Sequence, residues 1–231
     1  MNELRKCKKC LLPETYETVL IEDDNNGCNM CSTSAFKKDN IDWAKRKKML
    51  DDVIEKYRGK YDYDCIVPFS GGKDSCFQLH VLVKIYNIKP LAVTFSHNWF
   101  SKIGWDNLWN VLEKLDVDHI MYTPKRSLVN RLARKSLKKI GDSCWHCHAG
   151  LLAFPLQIAT KFDIKLLVFG ESPAEFSGRD TFFDQEFKMN TASNTCDIFM
   201  KGSVRDNADS MVGNDILKQE MRLFYPPSKK E

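Results

Sequence analysis

Six consecutive residues, Ser70-Gly71-Gly72-Lys73-Asp74-Ser75, carry the groups that a polyphosphate-binding loop requires. Glycines leave backbone N–H groups open to an anion, because no Cβ stands in the way. Lys73 adds a cation, and Ser70 and Ser75 add hydroxyls. Asp74 is out of place in a purely anion-binding loop and makes sense where a Mg2+ ion bridges it to phosphate oxygens. A Walker A loop needs a glycine where this chain has Val67, and the dinucleotide fingerprint needs one where it has Ser75. The plain alternative is a tight strand-to-helix turn with incidental polar residues. The coincidence of an apolar strand, Ser-Gly-Gly-x-Asp-Ser and a helix favours the phosphate reading.

Two cysteine groups come next. Cys7 and Cys10, then Cys28 and Cys31, form two Cys-x2-Cys pairs at the spacing of a structural zinc ribbon. Gly27 and Asn29 suit a turn around the second pair, and a segment too small for its own core depends on its metal for its fold. Cys144-Trp145-His146-Cys147-His148 is open to three readings. It is a substrate-pocket wall in which His146 or His148 hydrogen-bonds the substrate, an iron–sulfur ligand set completed by Cys196, or a packed loop with incidental thiols. Of these, Cys147 and His148 as substrate contacts are preferred. A basic run holds Lys125, Arg126, Arg131, Arg134, Lys135, Lys138 and Lys139. Such a run is ordinarily a solvated face; the alternative is a docking surface for a diphosphate, a partner subunit or RNA.

These groups need a scaffold. The chain has 231 residues, 43% of them hydrophobic, enough for one substantial domain and a small appendage. The net charge of +4 does not demand nucleic acid and suits phosphate-bearing small molecules equally. Leu151 to Ala159, the most apolar run, is interrupted by Pro155 and too short to cross a bilayer. With no apolar signal-peptide core at the N-terminus and paired rather than disulfide-patterned cysteines, a cytoplasmic location is expected. Three zones are expected: a four-cysteine, zinc-ribbon-like segment over 1–40, a main domain over 41–180, and an irregular, truncated-looking region over 181–231.

The main domain reads as alternating helices and strands. Apolar spacing predicts a helix over Trp43–Tyr57, with Asp42 as its cap. Strands are predicted at Cys65–Phe69, Leu91–Phe95, His119–Tyr122 and Lys165–Phe169, and helices near 74–86, 105–115, 127–140 and 151–162. Alternation of this kind implies a parallel α/β sheet with helices on both faces. Its ligands bind beyond the strand C-termini at the topological switch point, where both Ser70–Ser75 and Gly170-Glu171-Ser172 fall.

The glycine hexapeptide after an apolar strand resembles the signature of the PP-loop ATP pyrophosphatases. The larger set resembles the N-acetyl sugar amidotransferase family of that superfamily. It comprises Cys7-Lys8-Lys9-Cys10-Leu11-Leu12-Pro13, Gly27-Cys28-Asn29-Met30-Cys31, Ile41-Asp42-Trp43, Tyr63 to Pro68, Leu91 to Phe95, Cys147-His148-Ala149-Gly150 and Gly170-Glu171-Ser172. The resemblance implies a five-stranded parallel sheet, adenine between its first two strands, and ATP, Mg2+ and zinc as cofactors. It implies nucleotide contacts at Ser70, Gly71, Gly72, Lys73, Asp74, Ser75, Phe95, Gly170 and Glu171, with Lys73 and Asp74 catalytic. It implies adenylation of a sugar acetamido oxygen, then displacement of AMP by ammonia to give an acetamidino group. The acceptor would be an acetamido sugar nucleotide of bacterial surface glycans. Ammonia would come from a separate glutaminase with a cyclase-like partner, both resembling histidine-biosynthesis subunits. A PP-loop tRNA thiolase and a truncated, non-catalytic nucleotide-binding module are the alternatives.

Overall fold

In the computed structural model, the described residues are 4–14, 20, 27–39, 41–170, 200 and 203–228. Two compact units are present: an N-terminal one that includes residues up to Asp51, and a larger one that begins at Asp52. Among the described residues no helix is long and apolar enough to cross a membrane.

In the N-terminal unit, Cys7 and Cys10 sit on a tight hairpin. Lys6 pairs antiparallel with Pro13, Cys7 N–H donates to Leu12 O, and Leu11 N–H returns to Cys7 O. Leu11 takes a left-handed φ of 62° to close it. The second pair is built differently. Cys28 precedes helix α1 (Asn29–Asp39) and Cys31 lies in its first turn, so the expected second turn is a helix start.

Helix α2 (Trp43–Tyr57) has the bounds its apolar spacing predicts. The larger unit is built on a parallel sheet of β1 (Cys65–Pro68), β2 (Pro90–Phe95) and β3 (His119–Tyr122), in spatial order 1-2-3. Between β1 and β2 run α3 (Lys73–His80) and a π-helical turn, Val81–Ile85. Helix α4 (Lys102–Leu115) joins β2 to β3. Helices α5 (Arg126–Ile140) and α6 (Trp145–Lys161) follow.

The expected fourth strand is reduced to one parallel bridge, Leu167 to Ile66. Its hydrogen bonds are Ile66 N–H to Leu166 O and Val168 N–H to Ile66 O, at 2.8 and 2.9 Å. The chain therefore leaves β1 toward β2 and later returns to the opposite edge of β1. That return makes the C-terminal end of β1 the switch point.

Strand alternation distributes the core. Ile66, Leu91, Val93 and Phe95 face the α5–α6 side. Cys65, Val67, Phe69 and Ala92 face Leu79, Leu82, Leu108 and Leu112 of the α3–α4 side, joined by Ile54 of α2. Burial on both faces is what a parallel sheet requires.

Two sequence expectations are corrected. The Cys144–Cys147 stretch is the start of α6, with Cys144 at its N-cap, because the buried face of α6 begins at Trp145 and continues past Pro155. And the C-terminal region is not irregular throughout: α7 (Val204–Met211) and a 3-10 helix (Lys218–Phe224) are described there. Val204, Ala208, Met211, Ile216, Met221 and Phe224 are at most 1% exposed in the same core as α6.

Candidate nucleotide site and metal centre

The hexapeptide leaves β1 at Phe69, whose N–H is held by Val93 O at 2.9 Å. Gly71 has φ +75°, and a Cβ there would stand 2.9 Å from Leu108 Cβ and 3.0 Å from Leu108 Cα. Only glycine meets both demands. Ser75 Oγ accepts from Ser70 N–H at 3.3 Å and donates to Gly72 O at 3.1 Å, while Ser70 Oγ accepts from Gly72 N–H at 3.2 Å. The two serines thus shape the loop as well as offering hydroxyls. Gly72 is the N-cap of α3, and among the described residues no side-chain hydrogen bond caps that helix. An uncapped helix start with its dipole behind it attracts an anion.

Lys73 and Asp74 form an ion pair, with side chains 87% and 60% exposed. An exposed pair is worth at most about 1 kcal/mol, so an incoming phosphate and Mg2+ can separate it at little cost. Gly170 ends the returning segment beside α3: a Cβ on it would lie 3.1 Å from Gln78 Oε1 and 3.8 Å from Asp74 Cβ. Glu171 and Cys196 lie outside the described residues.

Three residues that sequence spacing does not reveal hold this end of the sheet. Asn107 on α4 donates from Nδ2 to Gly71 O. Thr94 on β2 donates from Oγ1 to Phe69 O. His119 Nε2 lies 2.8 Å from Thr94 Oγ1, and since that hydroxyl spends its proton on Phe69 O, Nε2 is the donor. A polar Thr94 inside the apolar run Leu91–Phe95 was the readable sign; nothing local marks Asn107. Phe95 is 3% exposed, packed against Tyr122, Phe154 and Phe224. Its ring is core, so only its backbone is left for a nucleotide.

At α6, the carboxylate of Asp142 accepts from Cys144 N–H at 2.7 Å and stands 3.9 Å from His148 Nδ1. Cys144 is exposed and Cys147 half-buried. Burial pushes the Cys147 thiol up to about 11, which keeps it protonated and a weak nucleophile. Among the described residues no hydrogen bond ties Cys147 or His148 to the glycine loop.

Half of the cations of the basic helix α5 are engaged by the C-terminal segment. Arg131 pairs with Glu220 and Lys135 with Asp215, each at 2.8 Å, and Lys139 donates to Ser210 O. These cations clamp the C-terminal segment.

The quartet Cys7, Cys10, Cys28 and Cys31 is a second centre. Sγ separations are 3.8 Å for Cys7–Cys31, 3.7 Å for Cys10–Cys28 and 3.9 Å for Cys28–Cys31. All four ligand atoms lie within 4.8 Å of one another. Thiolates about 2.3 Å from a tetrahedral zinc stand about 3.8 Å apart, whereas disulfide sulfurs are about 2.05 Å apart. The residues therefore fit a metal such as zinc. Backbone N–H of Cys10, opposed by burial and assisted by that of Lys9, draws the Cys7 thiol below its ordinary value, toward the thiolate a metal needs, while the neighbouring Cys10 thiol is pushed the other way.

No family model matches the chain. An uncharacterized protein of Methanocaldococcus jannaschii is 25% identical over 172 residues, and the match covers 71% of this chain and 58% of that protein. The chain thus spans little more than half the length of that curated relative. A solved structure described as a predicted subunit of tRNA methyltransferase, also from Methanocaldococcus jannaschii, aligns over 68% of this chain and 71% of its own. At 15% identity and a TM-score of 0.36 that likeness gives no ground for transferring fold or function.

Proposed function

We propose that this chain is an adenylating enzyme that binds ATP and Mg2+ at Ser70–Ser75 and releases pyrophosphate. The observation that carries this reading is the glycine loop at the switch point, with Gly71 locked against α4 and an uncapped α3 behind it. Backbone amides and Lys73 hold the leaving pyrophosphate, and Asp74 holds the Mg2+ that offsets its charge. Such a loop works by positioning and charge stabilisation, with no protein nucleophile needed. The four-cysteine centre binds zinc and stabilises the N-terminal fold.

For the acceptor, the motifs from Cys7 to Gly170 support an acetamido sugar nucleotide. Its amide oxygen attacks the α-phosphorus of ATP and pyrophosphate leaves. Ammonia from a partner glutaminase then adds to the activated carbon, which expels AMP and sheds one proton. An amide is a poor electrophile, and AMP is a far better leaving group than hydroxide. A cytoplasmic enzyme of surface-glycan synthesis fits this chemistry.

The second reading is tRNA modification by thiolation. It draws on Cys144 and Cys147 at the start of α6. Against it, Cys147 is a protonated thiol, and three cations of α5 are taken up by the C-terminal segment.

The test supplies ATP and Mg2+ with either ammonium and acetamido sugar nucleotides, or unmodified tRNA and a sulfide donor, with products read by mass spectrometry. AMP with a sugar whose oxygen is replaced by NH establishes amidotransfer. AMP and thiolated tRNA establish the second reading. ATP bound without AMP release in either arm would mark a non-catalytic nucleotide-binding module.

A further inference from the structure

Helix α6 approaches the end of β2 unusually closely. A Cβ on Gly150 would fall 2.3 to 2.6 Å from the Phe95 ring, so glycine is what lets the helix lie down there. One turn earlier on the same face, His146 is carried to the C-terminal end of β2 and buried to 0% exposure. Neither of its ring nitrogens makes a hydrogen bond of good geometry among the described residues, although the Ser143 backbone lies close enough to favour its protonated form, and the adjacent Trp145 Nε1 has no partner there either. An unpartnered buried polar group costs about 1–3 kcal/mol, and such a cost persists at sites where a ligand supplies the partner. Burial, opposed more weakly by the Ser143 backbone, holds the His146 imidazole down at about 4, so it is neutral and offers one donor and one acceptor.

Trp99 meets the His146 ring edge-on, with centroids 5.1 Å apart and planes at 88°. It is 46% exposed. His97 lies 6.2 Å from Trp99 and stacks on Phe100 at 4.5 Å. Its Nδ1 accepts from Trp99 N–H at 3.0 Å, which leaves the proton of the neutral ring on Nε2. The result is an accessible indole flanked by the His97 imidazole and backed by the buried His146. A nucleobase slot needs two parallel plates, and the parallel pair here, His97 on Phe100, is already closed on itself. One aromatic face with several neutral hydrogen-bonding groups matches the C–H face and hydroxyls of a sugar ring.

We propose that His97 and Trp99, with the buried His146 backing the indole, form the acceptor subsite, a platform for the ring of an uncharged, polyhydroxylated sugar at the end of β2. This deepens the amidotransfer reading and rests on it for the reaction, not for the binding.

The chain has five histidines, so histidine-selective 15N NMR resolves the site, with His80 and His119 as internal controls. The probes are N-acetylglucosamine and its UDP conjugate, titrated with and without ATP. Both are expected to shift the His97 and His146 resonances and leave His80 unmoved. Trp99→Ala and His97→Ala, both at accessible positions, should each weaken the sugar by about tenfold while ATP affinity stays within about twofold. His146→Gln should do the same where it folds; the other two variants carry the test where it does not. No histidine shift with either sugar, or an unchanged affinity in Trp99→Ala, overturns the proposal. An equal shift with uridine diphosphate alone overturns the sugar assignment in favour of a nucleobase. Sugar-induced shifts in a chain that fails to bind ATP would uphold this subsite and remove the adenylation reading instead.

Discussion

The glycine loop and the first turn of α6 both lie at the C-terminal edge of the sheet, yet they are opposite kinds of site. In the loop, exposed Ser70, Lys73 and Asp74 ride on a backbone whose internal hydrogen bonds are satisfied by Ser70, Ser75 and Asn107. In the α6 turn, His146 is buried and its polar atoms are left unsatisfied. A charged, water-soluble ligand can be met by a solvated loop that presents charge. A neutral ring needs a drier, aromatic surface, here Trp99 held in place by the buried His146. The loop can therefore lose function without losing fold, whereas the turn couples the two.

The largest contrast is expected from Lys73→Ala. AMP formation should vanish while the melting temperature stays put, because the side chain is 87% exposed and its ion pair is weak. Measurable AMP at the wild-type rate would show that the loop is not the phosphate grip. Gly71→Ala should act on both counts: a Cβ 2.9 Å from Leu108 at φ +75° is expected to cost about 1–3 kcal/mol by urea unfolding and to lower ATP affinity. Gly150→Ala should cost about as much stability, because its Cβ collides with the Phe95 ring, but leave ATP affinity unchanged.

The pH dependence sharpens the comparison further. With the His146 pKa near 4 in the folded chain and about 6.5 when unfolded, the unfolded state takes up the proton first. Its contribution is full above about pH 6.5 and is lost as pH falls toward 4. Asp142, His97 and His148 are the titratable groups that act on it. Urea midpoints from pH 7 to 4 should fall less steeply in His146→Gln than in the wild type. The smallest effect belongs to Glu220→Gln, which removes the partner of Arg131. A partly exposed pair of this kind should shift stability by less than about 1 kcal/mol.

Much of the loop was readable because its chemistry is local. A strand, two glycines and a helix follow one another within a few residues, and the bounds of α2 follow from apolar spacing alone. The spacing of the two Cys-x2-Cys pairs likewise maps onto sulfurs at metal-ligand separations. The partners that fix the loop were not readable: Asn107 reaches Gly71 across thirty-six residues, and no periodicity encodes such a contact. The C-terminal segment was missed for a related reason. Val204, Ala208 and Met211 do recur at helical spacing, but in an eight-residue helix surrounded by polar residues. Its burial depends on Phe224 packing on Trp145 and Phe95, far away in sequence. Among the described residues the segment at 165–169 keeps only the Leu167 bridge, a loss of pairing that the apolar run does not announce.

The most direct test of the loop assignment is the identity of the nucleotide product, followed by 31P NMR in the presence of ATP, Mg2+, ammonium and an acetamido sugar nucleotide. Cleavage between the α- and β-phosphates, giving AMP and pyrophosphate, is the predicted result. Release of ADP and inorganic phosphate would contradict it.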